Sequence, residues 1–133
     1  MPRRAFLDAN VLFSAAYRET SSLIRLWSHP GTELVTSAYA AEEVRRNLAS
    51  ADQLTRLDQL LAERRIVGES DAPMPAGVRL PAKDHPILKA AIAADATHLV
   101  TGDVKDFGRY FGRRIGGVLV LTPVDLLREQ PKD

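Results

Sequence analysis

The chain has 133 residues, 45% hydrophobic and 26% charged, a balance that excludes a disordered or fibrous protein. The length points to a single domain over residues 1–133, a size that hides roughly two-thirds of its unfolded surface. The absence of cysteine excludes a disulfide scaffold, a thiol nucleophile, a thiolate zinc site and an iron–sulfur cluster, and a net charge of +1 selects no partner in bulk.

Arg3 and Arg4 precede an apolar stretch that runs to Tyr17, but Asp8 and Asn10 interrupt it, so no signal peptide is expected. No apolar run approaches the ~18–20 residues of a membrane span. A cytoplasmic protein without a membrane partner is the expectation. Arg4 to Asp8 reads as a short buried strand ending in a carboxylate, and Val11 to Tyr17 as one or two helical turns. Ser21 or Ser22 caps a helix carrying Leu23, Ile24, Leu26 and Trp27, which Pro30-Gly31 stops. Glu33 to Thr36 is a second strand. Ser37 stands at the N-cap of a helix from Ala38 to Leu48, and a further helix carries Leu54, Leu57, Leu60 and Leu61.

Arg65 to Gly68 is a brief third strand, followed by a loop marked by Pro73, Pro75, Gly77 and Pro81. Ile87, Leu88, Ala91, Ile92 and Ala94 give an amphipathic helix. His98 to Thr101 is a fourth strand, closed by Gly102-Asp103, and Val118 to Leu121, after Gly116-Gly117, a fifth. Thr122-Pro123-Val124-Asp125 starts a final helix that runs to about Glu129. Five short strands alternating with helices predict a three-layer α/β/α sandwich with a mainly parallel central sheet. Ligands in such folds bind beyond the carboxyl ends of the strands.

The acids fall at that rim. Asp8 ends the first strand, Asp103 follows the fourth, Glu42 and Glu43 lie early in the helix after the second, and Asp84 opens the helix that leads into the fourth. Converging carboxylates cannot all ionise unless a cation sits among them. Oxygen ligands without His or Cys select Mg²⁺ or Mn²⁺, ions suited to phosphate chemistry. Neutralising one of the crowded acids, Asp8 for instance, is expected to relieve repulsion without loss of stability. The histidines form no site: His29 abuts Pro-Gly, His98 begins a strand, and only His85 neighbours an acid.

Each acid also has a structural explanation. Asp84 is a sound N-cap, Asp103 a turn residue, Asp106 a loop acid, and Glu42 or Glu43 a solvated charge favoured by the helix dipole. Asp8 is the hardest to explain this way, because a carboxylate between a buried strand and Val11-Leu12-Phe13 has little structural purpose.

Phe6-Leu7-Asp8-Ala9-Asn10-Val11-Leu12 resembles the opening strand and loop of PIN domains. Glu43-Val44-Arg45-Arg46-Asn47-Leu48 resembles their second acidic motif. Asp84-His85-Pro86-Ile87-Leu88 with Ala90-Ala91, then Leu99-Val100-Thr101-Gly102-Asp103, resemble the third and fourth. Four motifs in order cover nearly the whole chain. The resemblance implies a PIN-like fold and a Mg²⁺- or Mn²⁺-dependent endoribonuclease whose metal is held by Asp8, Glu43, Asp84 and Asp103. Asp106 falls where some members carry an additional acid. Asn10 and Thr101 match polar positions that brace such sites, and Glu43 is preferred to Glu42 because it directly precedes Val-Arg-Arg-Asn-Leu. The family chemistry implies a 5′-phosphate and a 3′-hydroxyl product. The resemblance also includes the toxins of bacterial toxin–antitoxin pairs of the VapC type, so RNA is the expected substrate, with an antitoxin protein and a homodimer as partners to look for.

RNA needs cations to approach four acids, and Arg45, Arg46, Lys105 and Arg109 are candidates, with Arg113 and Arg114 beside them. Lys105 to Phe111 mixes cations with aromatics that could stack on bases. Alternatively, Phe107 and Phe111, four residues apart, are core residues of a short helix. Among rival functions, a receiver domain wants an acidic pair after the first strand, whereas Asp8 stands alone. A haloacid-dehalogenase phosphatase wants Asp-x-Asp where this chain has Asp8-Ala9-Asn10. No Gly-x-x-x-x-Gly-Lys-Ser/Thr run exists for a P-loop. A PIN fold that binds RNA or serves as a scaffold without catalysis is the remaining alternative.

Overall fold

The computed structural model describes residues 2–129. Its core is a six-stranded sheet in which β1 (Arg3–Leu7) lies between β2 (Thr32–Ser37) and β4 (His98–Val100), parallel to both. β3 (Arg65–Val67) continues the sheet beyond β2, and β6 (Val118–Leu121) lies beyond β4, again in parallel. Ala5 sits opposite Leu34 and His98, and Phe6 opposite Val35 and Leu99. Ala5, Phe6, Leu7, Leu99 and Val100 are buried without alternation. Such runs belong to parallel strands whose two faces are both covered by helices.

The helices are α1 (Ala9–Tyr17), α2 (Ala38–Asn47), α3 (Ala51–Leu61), α4 (His85–Ala93), α5 (Val104–Phe107) and α6 (Pro123–Arg128). Local chemistry starts several of them. Ser37 Oγ accepts from the Ala40 amide at 3.1 Å, Thr122 Oγ1 accepts from the Asp125 amide at 3.2 Å, and Ser50 with Gln53 forms a capping box. From β1 the chain steps first toward β2 and β3, then returns to place β4 on the other side. With right-handed crossovers, excursions in opposite directions put their helices on opposite faces, and α1 duly packs against α2 and α3. The order reverses between β1 and β4, so the crevice at their carboxyl ends is the switch point where α/β sheets bind ligands.

Two elements differ from expectation. The segment after Ser21 is a 3₁₀ helix (Ser22–Ser28), with bonds such as Ile24 N–H to Ser21 O at 3.3 Å. A stretch this short, between a cap and Pro30, tightens to i→i+3 bonding. A sixth strand, β5 (Arg114–Ile115), pairs antiparallel with β6 through a turn at Gly116-Gly117, where φ is +57° and +85°. Two residues are too few to show a period, although a Gly-Gly pair is a hairpin signal.

At the amino ends of the strands, Glu129 ties the last helix to the sheet. It accepts from Arg3 Nε at 2.8 Å and lies 3.1 Å from His98 Nε2. Among the described residues no helix is long and apolar enough to cross a membrane.

Candidate metal centre at the carboxyl ends of the strands

Asp8 leaves β1 as the N-cap of α1. Its Oδ1 accepts from the Ala9 amide at 2.7 Å, and its Oδ2 accepts from Asn10 Nδ2 at 3.1 Å and from Thr101 Oγ1 at 2.9 Å. Thr101, fully buried past β4, also accepts from Asn10 Nδ2 and from the Asp103 amide, each at 3.1 Å. Asn10 Oδ1 in turn accepts from the Gly102 amide at 2.8 Å. Asn10 and Thr101 thus lock the loop after β1 to the loop after β4. Asp103 caps the next helix, its Oδ1 accepting from the Asp106 amide at 3.0 Å.

This network gives Asp8 the structural purpose that the sequence did not offer. Three donors converge on its carboxylate, so Asp8 organises the loop as well as facing the cleft.

Asp84 differs from its expected capping role. It stands before α4 at the end of a 3₁₀ turn (Ala82–Asp84), with helical backbone (φ −96°, ψ −7°) and no side-chain cap bond. A capping side chain needs extended backbone to reach the N2 or N3 amide. The carboxylate is therefore released. It is buried, and its Oδ2 has no hydrogen-bond partner.

Carboxylate oxygens of Asp84, Asp103 and Asp106 lie within 4.8 Å of one another. A cleft of about 710 Å³ opens over this point, lined by Asp8, Asn10, Glu43, Lys83, Asp84 and Asp103 with apolar Phe13, Leu23, Val44 and Ile87. Glu43 is half-buried on α2 and faces this cleft, whereas Glu42 is exposed and does not line it.

The electrostatics follow from burial. Desolvation pushes the Asp8 carboxyl above its usual range despite the bonds from Thr101 and Ala9, with the charges of Glu43 and Asp103 adding to the rise. Burial, with Asp8 and Asp106 nearby, pushes Asp84 up to about 7 against the pull of Lys83. Burial works against ionising Asp106 too, but hydrogen bonding to Lys83, Asp103 and Asp84 outweighs it and holds that carboxyl below its usual value. A buried carboxylate oxygen left unpartnered beside two further acids fits a divalent cation, and an all-oxygen donor set selects a hard one.

The cations expected to meet RNA lie elsewhere. Arg45 is committed to Asp58 of α3 at 3.0 Å, and Arg45, Arg46, Lys105 and Arg109 are exposed outside the cleft lining. Phe107 is fully buried and Phe111 half-buried against the core, so the first of these rings is closed to base stacking. His85 is turned away, its Nε2 2.9 Å from Leu80 O.

Lys83 was not expected. It is the one basic side chain among the described residues lining the cleft, and its Nζ is 3.3 Å from Asp106 Oδ2. The bond to Asp106 holds its ammonium above its usual pKa, with Asp84 adding to the effect. The only signal in the sequence was its place directly before an acid. Asn47, one turn after Glu43 on α2, also lines the cleft.

An α/β domain whose acids gather at the switch point of a parallel sheet is the class this geometry defines. The chain belongs to the PIN domain family, whose profile matches residues 4–105. Among solved structures it is similar to a chain in the crystal structure of VapBC2 from Rickettsia felis bound to a DNA fragment from their promoter. That likeness has a TM-score of 0.60 at 18% identity and covers 90% of this chain and 98% of the other, a similarity of fold. No curated protein matches.

Proposed function

We propose that this chain is a divalent-metal-dependent endoribonuclease and the toxin of a toxin–antitoxin pair, acting in the cytoplasm. The observation that carries the reading is the unpartnered buried Oδ2 of Asp84, set beside Asp103 and Asp106 in a cleft that Asp8 and Glu43 also line. Asp8, Glu43, Asp84 and Asp103 would hold Mg²⁺ or Mn²⁺, with Asp106 as a further ligand. Such an ion supplies a bound water of lowered pKa and shields charge on phosphoryl oxygens. The protein's part is positional. Asn10 and Thr101 hold Asp8 in one orientation, and the amide of Asp106 holds Asp103. Histidine and cysteine are absent from the described lining of the cleft, so neither an imidazole base nor a thiol nucleophile is at hand there.

The substrate proposed is single-stranded RNA, since a cleft between helices admits one strand more readily than an A-form duplex. The family membership and the likeness to a VapBC2 chain support an antitoxin protein as partner. A homodimer is compatible with this reading.

The test is cleavage of labelled RNA by purified protein with Mg²⁺, Mn²⁺, Ca²⁺ or EDTA. Activity is expected with Mg²⁺ and Mn²⁺, little with Ca²⁺ because of its looser geometry, and none in EDTA. Asp103→Asn and Glu43→Gln should each lower the rate by a factor on the order of 10² or more. Cleavage that persists in EDTA, or equally in both variants, would mark a contaminating nuclease. Calorimetry decides whether the centre exists, since no binding of Mn²⁺ at millimolar concentration would reject it.

A further inference from the structure

We propose that Lys83 is a tethered counter-ion of the acid cluster, an ammonium that shares Asp106 with the divalent metal and must yield when the metal binds. The inference rests on the metal-centre reading above and concerns how that centre is filled.

The geometry that points to it is local. Asp106 is one of three acids whose carboxylate oxygens fall within 4.8 Å of one another, and its Oδ2 also lies 3.3 Å from Lys83 Nζ. A metal gathered by Asp84, Asp103 and Asp106 and an ammonium on Asp106 would place like charges on one carboxylate, where they repel. The two cations therefore compete for the same carboxylate.

The backbone of Lys83 is anchored, while its side chain is not. Its carbonyl accepts from Tyr39 Oη at 3.0 Å, and the neighbouring Asp84 amide donates to Pro81 O at 2.9 Å. The side chain is 65% exposed, and the four-carbon stem can swing Nζ off Asp106 without disturbing the turn. Burial leaves Asp84 Oδ2 unpartnered even with Lys83 in place, so the ammonium neutralises only part of the cluster. Lys83 thus serves as a partial occupant that lowers the repulsion among the acids and is exchanged for the metal.

The test is calorimetric titration of MnCl₂ into wild type, Lys83→Gln, Lys83→Arg and Lys105→Gln, with no RNA present. Lys105 adjoins Asp106 in sequence but is exposed and outside the cleft lining, so its variant removes the same charge without the contact. Lys83→Gln is expected to bind Mn²⁺ about fivefold more tightly, the upper end of what breaking an exposed ion pair is worth. Lys83→Arg should stay within about twofold of wild type, since it can keep the pair. Lys105→Gln should likewise stay within about twofold, because exposed charges without contact are largely screened. If Lys83→Gln binds no more tightly than wild type, or if Lys105→Gln tightens binding equally, the counter-ion role is overturned while the metal centre stands. If wild type and every variant fail to bind Mn²⁺, the metal-centre reading itself has failed and takes this inference with it.

Discussion

Thr101 Oγ1 donates to Asp8 Oδ2 at 2.9 Å, joining residues that are 93 positions apart in the chain. The hydroxyl also accepts from Asn10 Nδ2 and from the Asp103 amide, so one fully buried group links both loops of the cleft. Replacement of Thr101 by Val keeps the shape but removes all three bonds: the Asp103 amide loses its acceptor, and Asp8 Oδ2 and Asn10 Nδ2 keep only their bond to each other. A loss of about 1–3 kcal/mol is expected. Thr101→Ser, which retains the hydroxyl, should lose less than Val. Urea denaturation of the three proteins checks this, and a Val variant with the wild-type midpoint would remove Thr101 from any bracing role.

The acids are not equivalent in stability. Asp8→Asn turns an amide toward Asn10 Nδ2 and Thr101 Oγ1, which now donate to a carboxylate, and should cost about 1–3 kcal/mol. Asp84→Asn sacrifices no such set of bonds at Oδ2 and removes one charge from a crowded group. It should therefore unfold in EDTA at pH 7.5 at or above the wild-type temperature. Thermal melts of both variants distinguish the two cases, and an Asp84→Asn protein less stable than Asp8→Asn would contradict this assignment.

The raised pKa of Asp84 sets a pH dependence. Its carboxyl titrates near 7 in the folded protein and near 3.8 when unfolded, so between these values the folded state binds more protons. Stability in EDTA should consequently fall as pH rises from about 4 to 7, and Asp8, raised in the same direction, adds to the fall. His29 and His98 have lowered values and act in the opposite sense, favouring the fold as pH rises through the histidine range. Subtracting the Asp84→Asn melts from the wild-type melts at each pH cancels the histidines. The stabilisation of the variant over wild type should grow from pH 4 to 7 and then level off. Because a metal binds the ionised form, Mn²⁺ should raise the wild-type melting temperature more at pH 7.5 than at pH 5.

Gly116 closes the hairpin between β5 and β6 with φ +57°, and a Cβ there would lie 2.6 Å from Ile92 Cδ1 and 3.3 Å from Pro75 Cγ. Gly116→Ala combines a left-handed backbone with that clash and should cost about 2–3 kcal/mol. Gly77 has φ +79° with open space around it, so Gly77→Ala isolates the backbone cost at about 1–2 kcal/mol. Equal midpoints for the two variants in urea would show that Ile92 moves aside freely.

Much of the architecture was legible because it is governed by local chemistry. Ser37, Ser50 and Thr122 accept amide protons at the first turns of their helices, and Pro30-Gly31 ends a helical segment. The sheet could be read as mainly parallel and covered because its short apolar strands alternate with helices along the chain. What could not be read were features made by contact. Two-residue β5 exists through its pairing with β6, and Asp84 abandons its capping bond because the preceding 3₁₀ turn holds its backbone helical.

The sequence by itself determined the residue types and their placement at strand ends, Asp8 after β1 and Asp103 after β4, and the helix starts that Ser37 and Thr122 cap. These are effects of neighbours in the chain, and they need no knowledge of the rest. Only the tertiary structure decided which charges meet. Arg45, within the second acidic motif, is drawn to Asp58 of the next helix, while Lys83 reaches Asp106 across 22 intervening residues that contain α4 and β4. The reason is physical: a cap reaches three residues, whereas an ion pair depends on where two crossovers set their ends down at the rim of one sheet.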